Sequence, residues 1–412
     1  MTSSLSRSRF LVVAAAALVL IGATPEPGSV GELDEPWITL DEPRAGLELE
    51  ALAALAEMRG RVGVGLQGPQ DVVLAVDTSG SVFLPSGIDL DGDGAVGAPA
   101  CDFERYQRLT CPSYRRWTTD FDDIVLKVEI SAALQLVGLL NPKLSRIGMV
   151  KFGDTVWVEQ PVGEPDGVRG ALERFRYVMR GGTDIAAALA SGLDLLEAAP
   201  PSTAGTPQRA ILLLSDGVVS MGTDLSPEEA ARQIDAAIAR ARATRTRVFA
   251  FGVGAADGPG PILLAKLANE TKGRYVAVPS AHEIAVELPL VSLSGVSDIE
   301  LVNETTAANG RAARVFPDGT FDGFVPLGPG ENTLRVTATL VDGRTLEART
   351  HVTYSRPVAP SAAQIAEREL LLEKLRTRTI TTDLGRRIQA ERRRRRLQQL
   401  ELEVDDPGAA LP

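Results

Sequence analysis

The chain has 412 residues, 44% of them apolar, enough for two or three globular domains with ordinary cores. Its 43 Lys and Arg against 54 Asp and Glu give a net charge of −11, which argues against a nucleic-acid binder. Only two His and two Cys are present, which leaves little for a His/Cys zinc site or a Cys-rich scaffold and makes carboxylates and hydroxyls the available chemistry.

Arg7 and Arg9 precede an apolar run from Phe10 to Ile21, and Gly22, Ala23 and Thr24 lead into a Pro-rich stretch. This is the pattern of a secretory signal peptide over residues 1–23, with cleavage near Ala23 and an exported product. As a helix the run would reach about 18 Å, short of the roughly 30 Å hydrocarbon core, so an uncleaved anchor is the lesser alternative. Export permits a disulfide, and Cys101 with Cys111 is the one pair the sequence offers.

Two strands are expected before residue 66, over Trp37–Leu40 and Met58–Val64, with Pro43, Gly46 and Leu47 between them. From residue 72 the pattern alternates. Strands are expected at Val72–Val76, Ile147–Phe152, Thr155–Val158, Ala210–Leu214, Val248–Gly254 and Tyr275–Val278. Helices are expected at Ile124–Leu140, Asp184–Leu196, from Ser226 to about Ala243, at Ile262–Ala268 and at Glu283–Leu293. Ser226, Pro227 and Glu229 supply an N-cap, a first-turn proline and a capping-box partner. Such alternation predicts a doubly wound, mostly parallel α/β sheet over residues 70–293.

After residue 297, Asn309-Gly310, Asp318-Gly319, Pro329-Gly330 and Asp342-Gly343 separate short alternating strands, with a hairpin closing at Asp342-Gly343. Neither this piece nor residues 37–66 has enough strands to bury a face alone. We therefore expect residues 37–66 and 297–355 to form one discontinuous β-sandwich with the α/β domain inserted, two separate β decorations being the alternative. Residues 361–404 read as a charged helical tail, with ten basic against two acidic residues between Lys374 and Arg396. It is either a solvated helix or a surface for an acidic partner or an anionic membrane.

Asp77, Ser79 and Ser81 stand in Asp-Thr-Ser-Gly-Ser at the C-terminal end of the first buried strand. Thr183, in Gly-Gly-Thr-Asp, precedes a helix, and Asp216 follows the strand Ala210–Leu214. All five therefore fall on the ligand-binding edge of an open α/β sheet. Hydroxyl and carboxylate donors suit a hard divalent cation such as Mg²⁺ or Mn²⁺. In this order they resemble the metal-ion-dependent adhesion site of a von Willebrand factor type A domain. That resemblance implies a Rossmann-like fold, direct coordination by Ser79, Ser81 and Thr183, and water-mediated roles for Asp77 and Asp216. It also implies metal-bridged capture of a protein ligand's carboxylate, or less readily a glycan, without bond breaking. A purely stabilising metal in an envelope module and a metal-dependent hydrolase are the alternatives. The hydrolase would need a base near the metal, and neither His282 nor His351 is expected at that edge.

About 38 residues separate Ser81 from Asp120, an insertion over residues 83–119 that is expected to lie beside the metal. It carries Asp89, Asp91, Asp93 and Gly94 as Asp-x-Asp-x-Asp-Gly, the opening of an EF-hand-like loop and a candidate Ca²⁺ site. The twelfth position is Ala100 rather than Glu, so Asp102 or Glu104 would have to close it. Ile38-Thr-Leu, Pro43, Gly46 and Arg59-Gly-Arg-Val resemble the opening of a bacterial immunoglobulin-like repeat. Asp318-Gly-Thr-Phe, Val325-Pro-Leu and Gly330-Glu-Asn-Thr-Leu resemble its continuation.

Overall fold

The computed structural model describes residues 35–98, 118–178, 181–203, 205–215, 227–253, 259–278, 281–289 and 291–379. The expected signal peptide, Cys101, Cys111, Asp216 and the tail beyond residue 379 lie outside the described residues.

The central sheet has strand order β6-β5-β4-β7-β8-β9, built from β4 (Gln70–Asp77), β5 (Ser145–Phe152), β6 (Val156–Gly163), β7 (Gln208–Ser215), β8 (Thr246–Val253) and β9 (Arg274–Val278). β5, β4, β7, β8 and β9 run parallel, and β6 is an antiparallel edge. Every residue of β4 is buried, as a strand covered on both faces must be. Its side chains alternate between two cores. Val72, Leu74 and Val76 pack with α1 (Val125–Leu139), α2 (Pro165–Glu173) and α6 (Ala281–Glu287). Val73 and Ala75 pack with α3 (Ile185–Ala198), α4 (Pro227–Ala243) and α5 (Pro259–Glu270) on the other face. Each such Val or Leu side chain contributes about 1.5–3 kcal/mol. α6 is shorter than the Glu283–Leu293 expected, because Pro289 cannot continue a helix and biases its predecessor away from helical angles.

Two further sheets join the chain before and after this layer. One has order β1-β3-β13-β12, from β1 (Pro36–Glu42), β3 (Leu55–Val64), β13 (Thr320–Pro326) and β12 (Arg311–Val315). The other has order β11-β10-β14-β15-β2, from β11 (Ala308–Asn309), β10 (Val296–Asn303), β14 (Gly330–Leu340), β15 (Thr345–Ser355) and β2 (Leu47–Glu50). β3 pairs antiparallel with β13, from Thr320 opposite Arg61 to Pro326 opposite Leu55, and β2 runs parallel to β15. Met58, Val62, Phe321 and Val325 of the first sheet share one core with Leu301, Leu334, Val336 and Val352 of the second.

The two crossings into the α/β layer lie side by side, with the Val64 amide donating to the Ser294 carbonyl at 3.0 Å. Asp318 fastens the layers further on. Its Oδ2 accepts the Asn141 amide at 2.9 Å, from the connection into β5, and the Ser145 hydroxyl at 3.3 Å, from the first residue of β5. Its Oδ1 accepts the Thr320 amide at 3.0 Å and hydroxyl at 2.7 Å. Three of the four turn glycines, Gly319, Gly330 and Gly343, take positive φ, as their dipeptides suggest, whereas Gly310 does not.

The first part of the tail is a helix over residues 362–379, α7. It is not wholly solvated: Leu375 packs with Ala312 and Phe324, beside Leu55 and Leu371. Arg378 donates to Glu57 at 2.9 Å and lies 3.4 Å from Asp322. Burial works to raise the Glu57 pKa, but hydrogen bonds from Arg59 and Arg378 and the nearby positive charges outweigh it and hold it below the usual carboxylate value. Among the described residues no helix is long and apolar enough to cross a membrane.

Candidate metal centre

β4 delivers Asp77 fully buried to the C-terminal edge of the sheet. The other buried carboxylate of this strand, Asp71 at the opposite end, is held by two Arg146 nitrogens at 2.8 and 2.7 Å, a structural ion pair. Asp77 instead accepts from neutral donors among the described residues. Its Oδ1 takes the Ser79 amide at 2.8 Å, and its Oδ2 takes the hydroxyl of Ser215, the last residue of β7, at 2.7 Å. These bonds hold the carboxylate as an orienting group beneath the loop. They also tie the ends of β4 and β7 together. Sequence reasoning missed Ser215; its signal was its place between the buried Leu214 and Asp216.

Thr78 anchors the same loop to β5, donating its amide at 2.7 Å and its hydroxyl at 2.8 Å to the Phe152 carbonyl. The next carbonyl, Gly153, accepts the Asp184 amide at 2.8 Å. Asp184 caps α3 by accepting the Ala187 amide at 2.9 Å, and Thr183 directly before it is buried. Two successive carbonyls at the end of β5 therefore hold the Ser79 loop and the Thr183 loop at one place. A single 3₁₀ turn, Ser81–Phe83, brings Ser81 Oγ within 3.1 Å of Ser79 Oγ.

These donors fit a small divalent cation. Neighbouring ligands in an octahedron at about 2.0–2.1 Å from Mg²⁺ stand about 2.9 Å apart, close to the spacing of the two serine hydroxyls. All the groups are hard oxygens, the class that Mg²⁺ and Mn²⁺ take. Ser79, Ser81 and Thr183 would hold the ion, and Asp77 would orient the Ser79 loop. The bound ion would supply a positive charge to which an acidic ligand group can be drawn.

Beside this loop stands an aromatic group. The Phe83 and Phe121 rings are 6.2 Å apart, and Phe121 and Tyr177 meet edge to face at 5.8 Å. Lys127 lies over both Phe121 and Tyr177, at 5.2 and 5.3 Å. Phe121 is 45% exposed. Burial, and then the negative charge of Asp122, raise the Tyr177 pKa.

The insertion leaves from the same loop and turns back against the start of α1. Val125 N donates to the Leu84 carbonyl at 3.0 Å, Ser86 N donates to the Asp123 carbonyl at 2.7 Å, and Pro85 bridges Ile124. Asp89 and Asp91 each place a carboxylate oxygen within 4.8 Å of one another and of Asp123. Asp93, expected as the third ligand, does not belong to this group. Its Oδ1 accepts the Ala95 amide at 2.8 Å, and the third member of the group is Asp123, some thirty residues beyond the Asp-x-Asp run. Asp91 accepts the Asp93 amide, which lowers its pKa, yet desolvation and the negative charges of Asp93, Asp120 and Asp123 raise it on balance. Of the two histidines, His351 lies on β15 with its Nδ1 3.2 Å from the Thr333 hydroxyl, in the two-sheet part of the molecule.

The family model of the von Willebrand factor type A domain matches residues 125–287. The match includes Thr183 and Asp216 and begins after Asp77, Ser79 and Ser81. No curated protein matches the chain. Solved structures similar to it include a von Willebrand factor type A protein from Catenulispora acidiphila, at 14% identity and TM-score 0.38, covering 80% of this chain and 75% of that one. Another is an aerotolerance-related membrane protein from Bacteroides fragilis, at 16% identity and TM-score 0.34, covering 53% and 96%. A third is a pilus adhesin from Lactobacillus rhamnosus GG, at 14% identity and TM-score 0.36, covering 79% and 48%.

Proposed function

We propose that the von Willebrand factor type A domain of this chain is an exported, divalent-metal-dependent protein-binding module. Mg²⁺ or Mn²⁺ is held by Ser79, Ser81 and Thr183, with Asp77 and Asp216 acting through water, and a ligand carboxylate completes the shell. The observation that supports this most is the pair of serine hydroxyls 3.1 Å apart above a buried Asp77 whose carboxylate is engaged by Ser79 and Ser215. Phe121 gives the face an apolar rim on which a protein ligand packs. Residues 37–66 and 297–355 act together as an immunoglobulin-like sandwich that carries this face. The pairing of β3 with β13 supports the single sandwich, and the Asp318 bonds to Asn141 and Ser145 support a fixed orientation between it and this face. Export by the residue 1–23 signal peptide places the module in the periplasm, on the surface or outside the cell.

Capture of envelope or secreted proteins on the immobilised chain tests this reading. It predicts retention in Mg²⁺, release by EDTA, and loss of capture in Ser81→Ala. Retention of the same partner in EDTA would mean that the metal only stabilises the fold.

A further inference from the structure

We propose that Asp89, Asp91 and Asp123 form a Ca²⁺ site that fastens the insertion to the start of α1, separate from the serine-lined centre. The decisive residue is Asp123. It is completely buried, its Oδ1 accepts the Leu90 amide at 2.7 Å, and its Oδ2 is buried without a hydrogen-bond partner among the described residues. Burying a carboxylate oxygen unsatisfied is costly, and placing it beside two further carboxylates adds repulsion. A divalent cation removes both penalties at once.

The geometry suits Ca²⁺. Two oxygens each about 2.3–2.6 Å from one ion can be at most about 5 Å apart, and those of Asp89, Asp91 and Asp123 all lie within 4.8 Å of one another. The loop already holds two of them in place: the Gly92 amide donates to Asp89 Oδ1 at 2.7 Å, Gly94 to Asp89 Oδ2 at 3.0 Å and Asp93 to Asp91 Oδ1 at 3.1 Å. A carboxylate oxygen with one such donor keeps lone-pair capacity for a metal. Three carboxylates supply half or less of the six to eight oxygens Ca²⁺ takes, leaving water and backbone carbonyls for the rest, a looser shell than Mg²⁺ accepts.

The site also links two segments distant in sequence. Asp123 immediately precedes the cap of α1, whereas Asp89 and Asp91 belong to the outgoing limb of the insertion. Leu84, Pro85 and Ser86 already bond to residues 123–125, a few residues past Ser81. Ca²⁺ would therefore set the insertion beside the serine-lined face and make its shape, and the ligands it admits, depend on calcium.

The test is a calorimetric titration of Ca²⁺ into the chelator-stripped full chain in excess Mg²⁺, with limited proteolysis of residues 86–98 as a second readout. The expected result is one Ca²⁺ event that slows cleavage of the loop. Asp91→Asn, at an exposed position that should not disturb folding, weakens it at least about tenfold, as loss of a charged ligand should. Asp123→Asn does the same where it folds, and Ser81→Ala leaves it unchanged. Absence of a Ca²⁺ event, equal affinity in Asp91→Asn, or loss of the event in Ser81→Ala alone would each overturn the assignment.

Discussion

Asp318→Ala should uncouple the α/β layer from the two-sheet body. The wild-type carboxylate receives four hydrogen bonds, two of them from Asn141 and Ser145 across the junction and two from Thr320 within its own turn. Asp318 is only 9% exposed and Ser145 1%, so water replaces the junction bonds poorly. A hydrogen bond to a charged acceptor contributes about 1.5–3 kcal/mol, and a rotating hydroxyl such as Ser145 recovers part of its loss. Counting the two junction bonds and treating the Thr320 pair as rehydrated gives a loss of about 3 kcal/mol, or roughly 5 °C in Tm when the two parts unfold as one unit. Asp318→Asn, which keeps one carbonyl acceptor, should lose about half as much. Urea unfolding followed in single-tryptophan variants, keeping Trp37 in β1 or Trp157 in β6 and replacing the other two tryptophans by Phe, reads both parts separately. The two transitions should coincide in wild type and separate in Asp318→Ala. A loss below about 1 kcal/mol with coincident transitions would refute the clamp.

Gly319→Ala should destabilise by at least about 2 kcal/mol in the same assay, because its φ is +84° and a Cβ would stand 2.1 Å from the Val62 carbonyl oxygen. Glu57 has its folded pKa held below the ordinary 4.5, so its bonds to Arg59 and Arg378 stabilise the fold above that value, and the contribution is lost as pH falls through the lower folded value. Wild type should therefore lose more stability than Glu57→Gln between about pH 5 and pH 3, measured by urea midpoints; parallel curves would show that the bonds of Glu57 to Arg59 and Arg378 contribute nothing.

Much of the α/β layer was legible because its strands are buried on both faces and read as uninterrupted apolar runs. Val72–Val76 and Ala210–Leu214 lie wholly within β4 and β7. β2 escaped because it has four residues and Leu47 is exposed, so neither length nor alternation marks it. α2 escaped because it has nine residues and buries only Pro165, Val168 and Leu172, too few for a helical period to stand out. At the site, Asp77, Ser79, Ser81 and Thr183 could be placed at one edge because each borders a recognisable strand or helix. Asp123 could not, since its relation to Asp89 and Asp91 depends on where a long insertion returns. Ser215 was hidden by a more conspicuous neighbour, Asp216.

The central claim is metal coordination by the serine-lined loop, and Mg²⁺ calorimetry on the full chain in an Asp91→Asn background tests it most directly. One Mg²⁺ event is predicted there, lost when Ser79→Ala and Ser81→Ala are combined, while the urea midpoint moves by less than the equivalent of about 1 kcal/mol because only small, polar groups are removed. An Mg²⁺ event of unchanged affinity in a folded double variant would contradict the account.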